Sequence, residues 1–142
     1  MSTIRHNPAA IAVAALIYFF LGAAWFTVFM NPWLAGIGRT MAELKASGEP
    51  PWLGYVVALV MTAILAVAIS WVIQATGPQT AARGATIAAA LWFGFVLTTW
   101  ATEYAFEARG ILILAINAGY PLVGMLLMGL VLGGWKAKPR TT

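Results

Sequence analysis

The dominant pattern along the chain is four long apolar runs separated by short polar breaks. A hydrocarbon core of roughly 30 Å is crossed by about 20 apolar helical residues. Four segments meet that length, at about 8–30, 52–75, 84–104 and 111–135. None carries a charge except the third, which has Glu103 near its end. The prolines agree with these boundaries. Pro8 suits a first helical turn, and Pro32, Pro50, Pro51, Pro78 and Pro139 fall outside the runs; Pro121 alone sits inside one. The pattern predicts an all-α fold: a four-helix transmembrane bundle forming a single integral membrane domain over 1–142. The first run resembles a signal peptide in having Arg5 before it and Gly22, Ala23 and Ala24 after an apolar stretch. It continues apolar through Trp25, Phe26, Val28 and Phe29, too long for a typical signal core.

Residues 31–51 make the longest connection. Within it, Thr40-Met41-Ala42-Glu43 reads as a capping box and Gly48 as a stop. A short helix of about two turns is expected there, lying on the outer membrane surface, either as a tether over the bundle end or as a lid.

Composition excludes several alternatives. Of 142 residues, 62% are hydrophobic and only 8% charged, too few charges to coat a soluble domain. With no cysteine there is no disulfide framework and no thiol chemistry. The lone histidine, His6, precedes the first run, so no histidine-based metal site is expected within the membrane. The net charge of +4 comes from bases scattered singly between apolar runs. They read as topology signals beside anionic lipid, not as a nucleic-acid surface. Four spans put both termini on one side, with Arg5, Arg83, Lys136, Lys138 and Arg140. The other side has Arg39, Lys45 and Arg109. This bias predicts cytoplasmic termini. Trp33, Trp52 and Trp100 suit an outer aromatic belt, Trp71 and Trp135 an inner one.

The first and third runs align without gaps: Ala15-Leu16 with Ala90-Leu91, Phe20 with Phe95, Trp25 with Trp100, Thr27 with Thr102. The second and fourth align more weakly, through Gly54-Tyr55 with Gly119-Tyr120 and Leu65 with Leu130. Two repeated helical hairpins, or chance likeness between apolar helices, are the two readings. Small residues four apart supply packing faces: Ala58, Thr62, Ala66 and Ser70 on the second run, Gly129 and Gly133 on the fourth. Such faces can build the bundle or join copies of it.

The informative polar residues gather in the outer leaflet. At 1.5 Å per residue, Asn117 and Thr98 lie about 9 Å from the outer ends of their runs. Thr99, Thr102, Trp25, Tyr55 and Tyr120 share that band, with Glu103 at its rim near Arg109. Pro121 frees the carbonyl four residues earlier, which belongs to Asn117. The layer is either an outward pocket formed by the third and fourth helices with Trp25, or interhelical glue in which Asn117 bonds a threonine and Tyr120 caps the layer. No nucleophile with base and orienter, no buried carboxylate pair and no phosphate loop is present, so no enzyme and no cofactor are expected. A lipid-directed reaction with Glu103 as base has little support.

Five stretches also carry a resemblance. They are Gly22-Ala23-Ala24-Trp25-Phe26, Asn31-Pro32-Trp33, Leu91-Trp92-Phe93-Gly94-Phe95, Phe106-Glu107-Ala108-Arg109-Gly110 and, most specific, Ile116-Asn117-Ala118-Gly119-Tyr120. From about Pro8 to Trp135 the chain resembles a small bacterial membrane-protein family, domain of unknown function 1761. The resemblance implies four membrane helices and carries no activity. Its members often have a histidine where this chain has Pro121, so a role for that histidine would be lost here or taken by Asn117. The reading that follows is a non-catalytic membrane protein of the bacterial inner membrane. It is expected to act as a structural or accessory subunit, packing against other membrane proteins or itself. A small oligomeric carrier or channel using the outer polar layer is the alternative.

Overall fold

The computed structural model describes residues 4–138, so Pro139 and Arg140, invoked above, lie outside the described residues. It is helical throughout, with no strand among those residues. Helix α1 spans Pro8–Val28, α2 Met30–Ile37, α3 Met41–Ala46 and α4 Pro51–Ala75. Helix α5 spans Ala81–Leu91 and runs through a π-helical turn, Trp92–Leu97, into α6, Thr98–Phe106; α7 spans Ile111–Gly134. Four helical stretches are long and apolar enough to cross a membrane: α1, α4, the continuous α5–α6 rod and α7. The chain is a multi-pass membrane protein.

The boundaries follow from local chemistry. The Asn7 side chain accepts from the backbone N–H groups of Ala9 and Ala10, capping α1, and Pro8 occupies its first position. The first membrane span is two residues shorter than the apolar run suggests, because the chain breaks at Phe29 and restarts as α2. Pro32 sits in the first turn of α2, where its missing N–H costs nothing. Gly38, with φ of 66°, ends α2 in a Schellman-type closure, its N–H reaching Ala35 and that of Arg39 reaching Leu34. The expected capping box is present at α3. The Thr40 hydroxyl accepts from Glu43 N–H at 3.2 Å, and the Glu43 carboxylate accepts from Thr40 N–H at 2.6 Å. Gly48 follows with φ of 79°. The first connection thus holds two short helices, and α2 packs its Gly36 against Ile113 of α7.

Helix α7 is the centre of the bundle. Forty-four per cent of its membrane window is buried, against 11% for the α5–α6 rod. Its closest neighbour is α5. A Cβ added to Gly84 would collide with the Gly129 backbone, and one on Gly133 with the Thr80 carbonyl. Gly129 and Gly133 therefore build the bundle from within. So do Thr62, Ala66 and Ser70 of α4, all buried. Ala58, the fourth member of that stripe, is exposed. The core below the polar layer joins Ala10, Ala14 and Ala15 of α1 to Ile69 and Ile73 of α4, Ala88 of α5, and Met125, Met128 and Leu132 of α7. Of the residues aligned between the first and third runs, Thr27 and Thr102 are alike, both exposed and bonded to the carbonyl four residues back, and Phe20 and Phe95 are both exposed, but the tryptophans differ. Trp25 donates across to α7, whereas Trp100 packs against Tyr104 of its own helix.

Two expectations follow. Gly84→Ala should destabilise the protein by about 1–3 kcal/mol through overpacking. Gly54→Ala, whose Cβ meets open space, should leave it unchanged or slightly more stable. Thermal unfolding in detergent compares them. The Thr40 backbone N–H and then its hydroxyl hold the Glu43 carboxyl below the usual carboxylate range. The cap of α3 should therefore persist as pH falls to the ordinary carboxylate pKa and be lost only below it, read from the Thr40 amide resonance during acid titration.

Candidate functional site

The half of α7 farther from the chain termini, called the outer half, carries the polar centre. Asn117 is buried, and its Nδ2 donates to the Tyr104 hydroxyl of α6 at 2.6 Å. Tyr104 is itself buried, so this is a side-chain bond closed off from both lipid and water. Pro121, four residues on, withholds a donor from the Asn117 carbonyl. The carbonyls on either side of that position each receive an indole. Trp25 Nε1 of α1 donates to Ile116 at 3.0 Å, and Trp92 Nε1 at the start of the π turn donates to Ala118 at 2.8 Å. Three other helical segments thus point a donor or acceptor at residues 116–118. No buried side-chain nitrogen or oxygen among the described residues lacks a partner.

The π turn explains why Trp92 and Tyr104 both reach α7. They are twelve residues apart, which in a regular α-helix would set them about 120° apart around the axis. A π turn absorbs roughly one residue, bringing them within about 20° of the same face. The same turn leaves Phe93, Gly94 and Phe95 exposed.

Tyr120 stands one turn further in. Its hydroxyl donates to the Tyr18 carbonyl at 3.3 Å, and its ring meets that of Tyr18 edge-on at 4.8 Å. Its other side faces a cleft of about 600 Å³ between the outer parts of α1 and α4. Phe19, Phe26, Trp33, Tyr55 and Tyr120 line it with aromatic rings, and no lining residue is charged.

The structure brings together Trp25, Asn117, Tyr120 and Pro121 of the polar residues singled out by the sequence. It does not bring the others to them. Thr98, Thr99 and Thr102 are exposed, and each hydroxyl donates to the carbonyl four residues back on its own helix. Asn117 consequently bonds a tyrosine where a threonine was expected. Tyr55 lies in the cleft, 63% exposed. Glu103 is exposed, and Arg109 pairs with Glu107 while its guanidinium lies 5.2 Å from the Tyr104 ring centroid. Sequence reasoning missed Tyr104, Trp92 and Tyr18. Trp92 enters only within the Leu91-Trp92-Phe93-Gly94-Phe95 stretch, and Tyr104 only as the end of the third run.

A family model matches residues 9–133, and the chain belongs to that family, described as Protein of unknown function (DUF1761). No curated protein and no solved structure matches the chain.

The Asn117–Tyr104 bond should behave as one coupled unit. Asn117→Ala and Tyr104→Phe should each lower stability by about 1–2 kcal/mol. The double variant should show a coupling of roughly 0.5–2 kcal/mol. Detergent unfolding of the four proteins in the cycle measures it, and additive losses would mean the contact contributes nothing of its own.

Proposed function

We propose that this member of the family is a small non-catalytic integral membrane protein, a structural or accessory subunit that packs in a membrane complex or homo-oligomer. One observation carries the reading. The bundle buries Thr62, Ala66 and Ser70 of α4 and Gly129 and Gly133 of α7 internally, yet leaves a small-residue face of the α5–α6 rod unused. Gly94, Thr98 and Thr102 follow one another at intervals of four on the α5–α6 rod, all exposed, flanked by exposed Phe93 and Phe95. Small and hydroxyl-bearing residues at that spacing are how membrane helices approach closely without a hydrophobic driving force. The satisfied polar layer agrees with this role, because Asn117, Tyr104 and the two indoles are occupied in holding helices together. The excess of Lys and Arg at the end bearing both termini supports a cytoplasmic location for them, in the bacterial inner membrane.

A second reading has its own observation. The uncharged aromatic cleft between α1 and α4 is of ligand-binding size, and Tyr120 links it to the polar layer. A small oligomeric carrier of an apolar small molecule would use it.

Native mass spectrometry of the protein released from its own membrane in mild detergent tests the proposal. The expected result is a stoichiometric complex with another membrane protein or with itself. Thr98→Trp should abolish that complex and leave the melting temperature of the released protein unchanged. A bare monomer would overturn the reading, and a homo-oligomer retaining a small molecule that Gly54→Leu excludes from the cleft would replace it with the second.

A further inference from the structure

The two ends of the molecule differ in charge. All four carboxylates, Glu43, Glu49, Glu103 and Glu107, lie at the end opposite the termini. The end that carries the termini has no acidic residue, and among the described residues it has Arg5, Arg83, Lys136 and Lys138. Arg83 is committed to the fold, since its guanidinium donates to the carbonyls of Pro78 at 2.8 Å and Thr76 at 2.7 Å. The other three lie on the two terminal segments, which a clasp joins. Asn7 Nδ2 donates to the Lys136 carbonyl at 3.2 Å, and Arg5 N–H donates to the Gln74 side chain at 2.9 Å. His6 Nδ1 lies 3.1 Å from the buried Ser70 hydroxyl, which Gln74 also contacts. Backbone and side-chain bonds thus join the two segments from which these cations project.

A cavity of about 480 Å³ opens at the clasp, lined by Arg5, His6, Asn7, Trp135 and Lys138 among others. The first free N–H groups of α1 do not supply its anion affinity, because Asn7 Oδ1 accepts from Ala9 and Ala10. The charge of Arg5 and Lys138, which line it, does, with Lys136 contributing its backbone carbonyl to the clasp and its charge from the same terminal segment. Trp135 marks the depth, since indoles sit at headgroup level. A cationic recess at that depth, beside a hydrocarbon surface and with no acidic side chain at that end among the described residues, matches a phosphate carried on an apolar anchor.

We propose that this clasp seats the phosphate of an anionic phospholipid from the leaflet at that end. The inference goes beyond the subunit reading and does not rest on it. The test uses the full chain in dodecyl maltoside. It compares binding of dioleoyl phosphatidylglycerol and dioleoyl phosphatidylcholine by native mass spectrometry and by the rise in melting temperature. Phosphatidylglycerol should bind at least about ten-fold more tightly. The combined variant Arg5→Gln, Lys136→Gln, Lys138→Gln should abolish that preference. Arg39→Gln with Lys45→Gln, at the opposite end, should keep it. Should the triple variant melt lower in phosphatidylcholine, the wild type in high salt gives the same reading, since screening should shrink the preference. Bound phosphatidylglycerol should persist in phosphate buffer; displacement by inorganic phosphate would make a free anion the occupant and overturn the lipid. An undiminished preference in the triple variant, or none in the wild type, would also overturn it.

Discussion

Hydrocarbon offers no hydrogen-bond partner, and a membrane helix that carries an asparagine and an internal proline must find its partners in the protein. Helix α7 carries both, at Asn117 and Pro121. The amide needs an acceptor, and the ladder around the freed carbonyl needs support. Trp25, Trp92 and Tyr104 meet these needs from α1, the π turn and α6. Each bond contributes only about 1 kcal/mol in a membrane interior. Their larger effect is geometric, because donors aimed at residues 116–118 fix how α1 and the α5–α6 rod are rotated about α7. Apolar side chains cannot impose that rotation, since lipid solvates them as well as other helices do.

Below that layer the bundle is held by the opposite means. Ala10 and Ala14 of α1, Gly84 and Ala88 of α5, and Gly129 and Gly133 of α7 bring backbones into near contact. Dispersion then rewards every atom that approaches. The outer half replaces these small residues with rings: Tyr18, Trp25 and Phe26 on α1, Trp92 and Tyr104 on the third span, Tyr120 on α7. The α1–α4 cleft opens among these rings. Small residues thus dominate the packing at one end of the bundle and aromatic rings at the other.

Much of this was legible in the sequence. Helices that must cross 30 Å of hydrocarbon announce themselves by length, and the Thr40–Glu43 box and Gly48 encode α3 locally. Asn117 and Pro121 were legible as an unusual pair. Their partners were not, because partner choice depends on helix rotation. Tyr104 looked like a boundary residue, and the π turn that aims it is a backbone register shift with no residue type of its own. The threonines misled for a known reason: a helical hydroxyl can donate to the carbonyl four residues back, and so needs no neighbour. Helix α2 was hidden by Asn31-Pro32, which reads as a break yet is compatible with a first turn.

The charge distribution joins these features. A bundle whose interior contains no ion and whose carboxylates all lie at one end can place its cations only at the other end or beside those carboxylates. Arg109 takes the second course, paired with Glu107 and resting on the ring of Tyr104, the residue that holds Asn117. Arg5, Lys136 and Lys138 take the first, on terminal segments that the Asn7 bond joins. Asn7 also caps α1, so one side chain begins the first membrane helix and ties it to the end of the last. The end that carries the termini is thereby closed by hydrogen bonds that water can rival, whereas the Asn117–Tyr104 bond at the other end is buried. The two ends of one bundle therefore differ in what can loosen them: solvent competes for the exposed clasp, whereas the buried bond between Asn117 and Tyr104 yields to a change of residue.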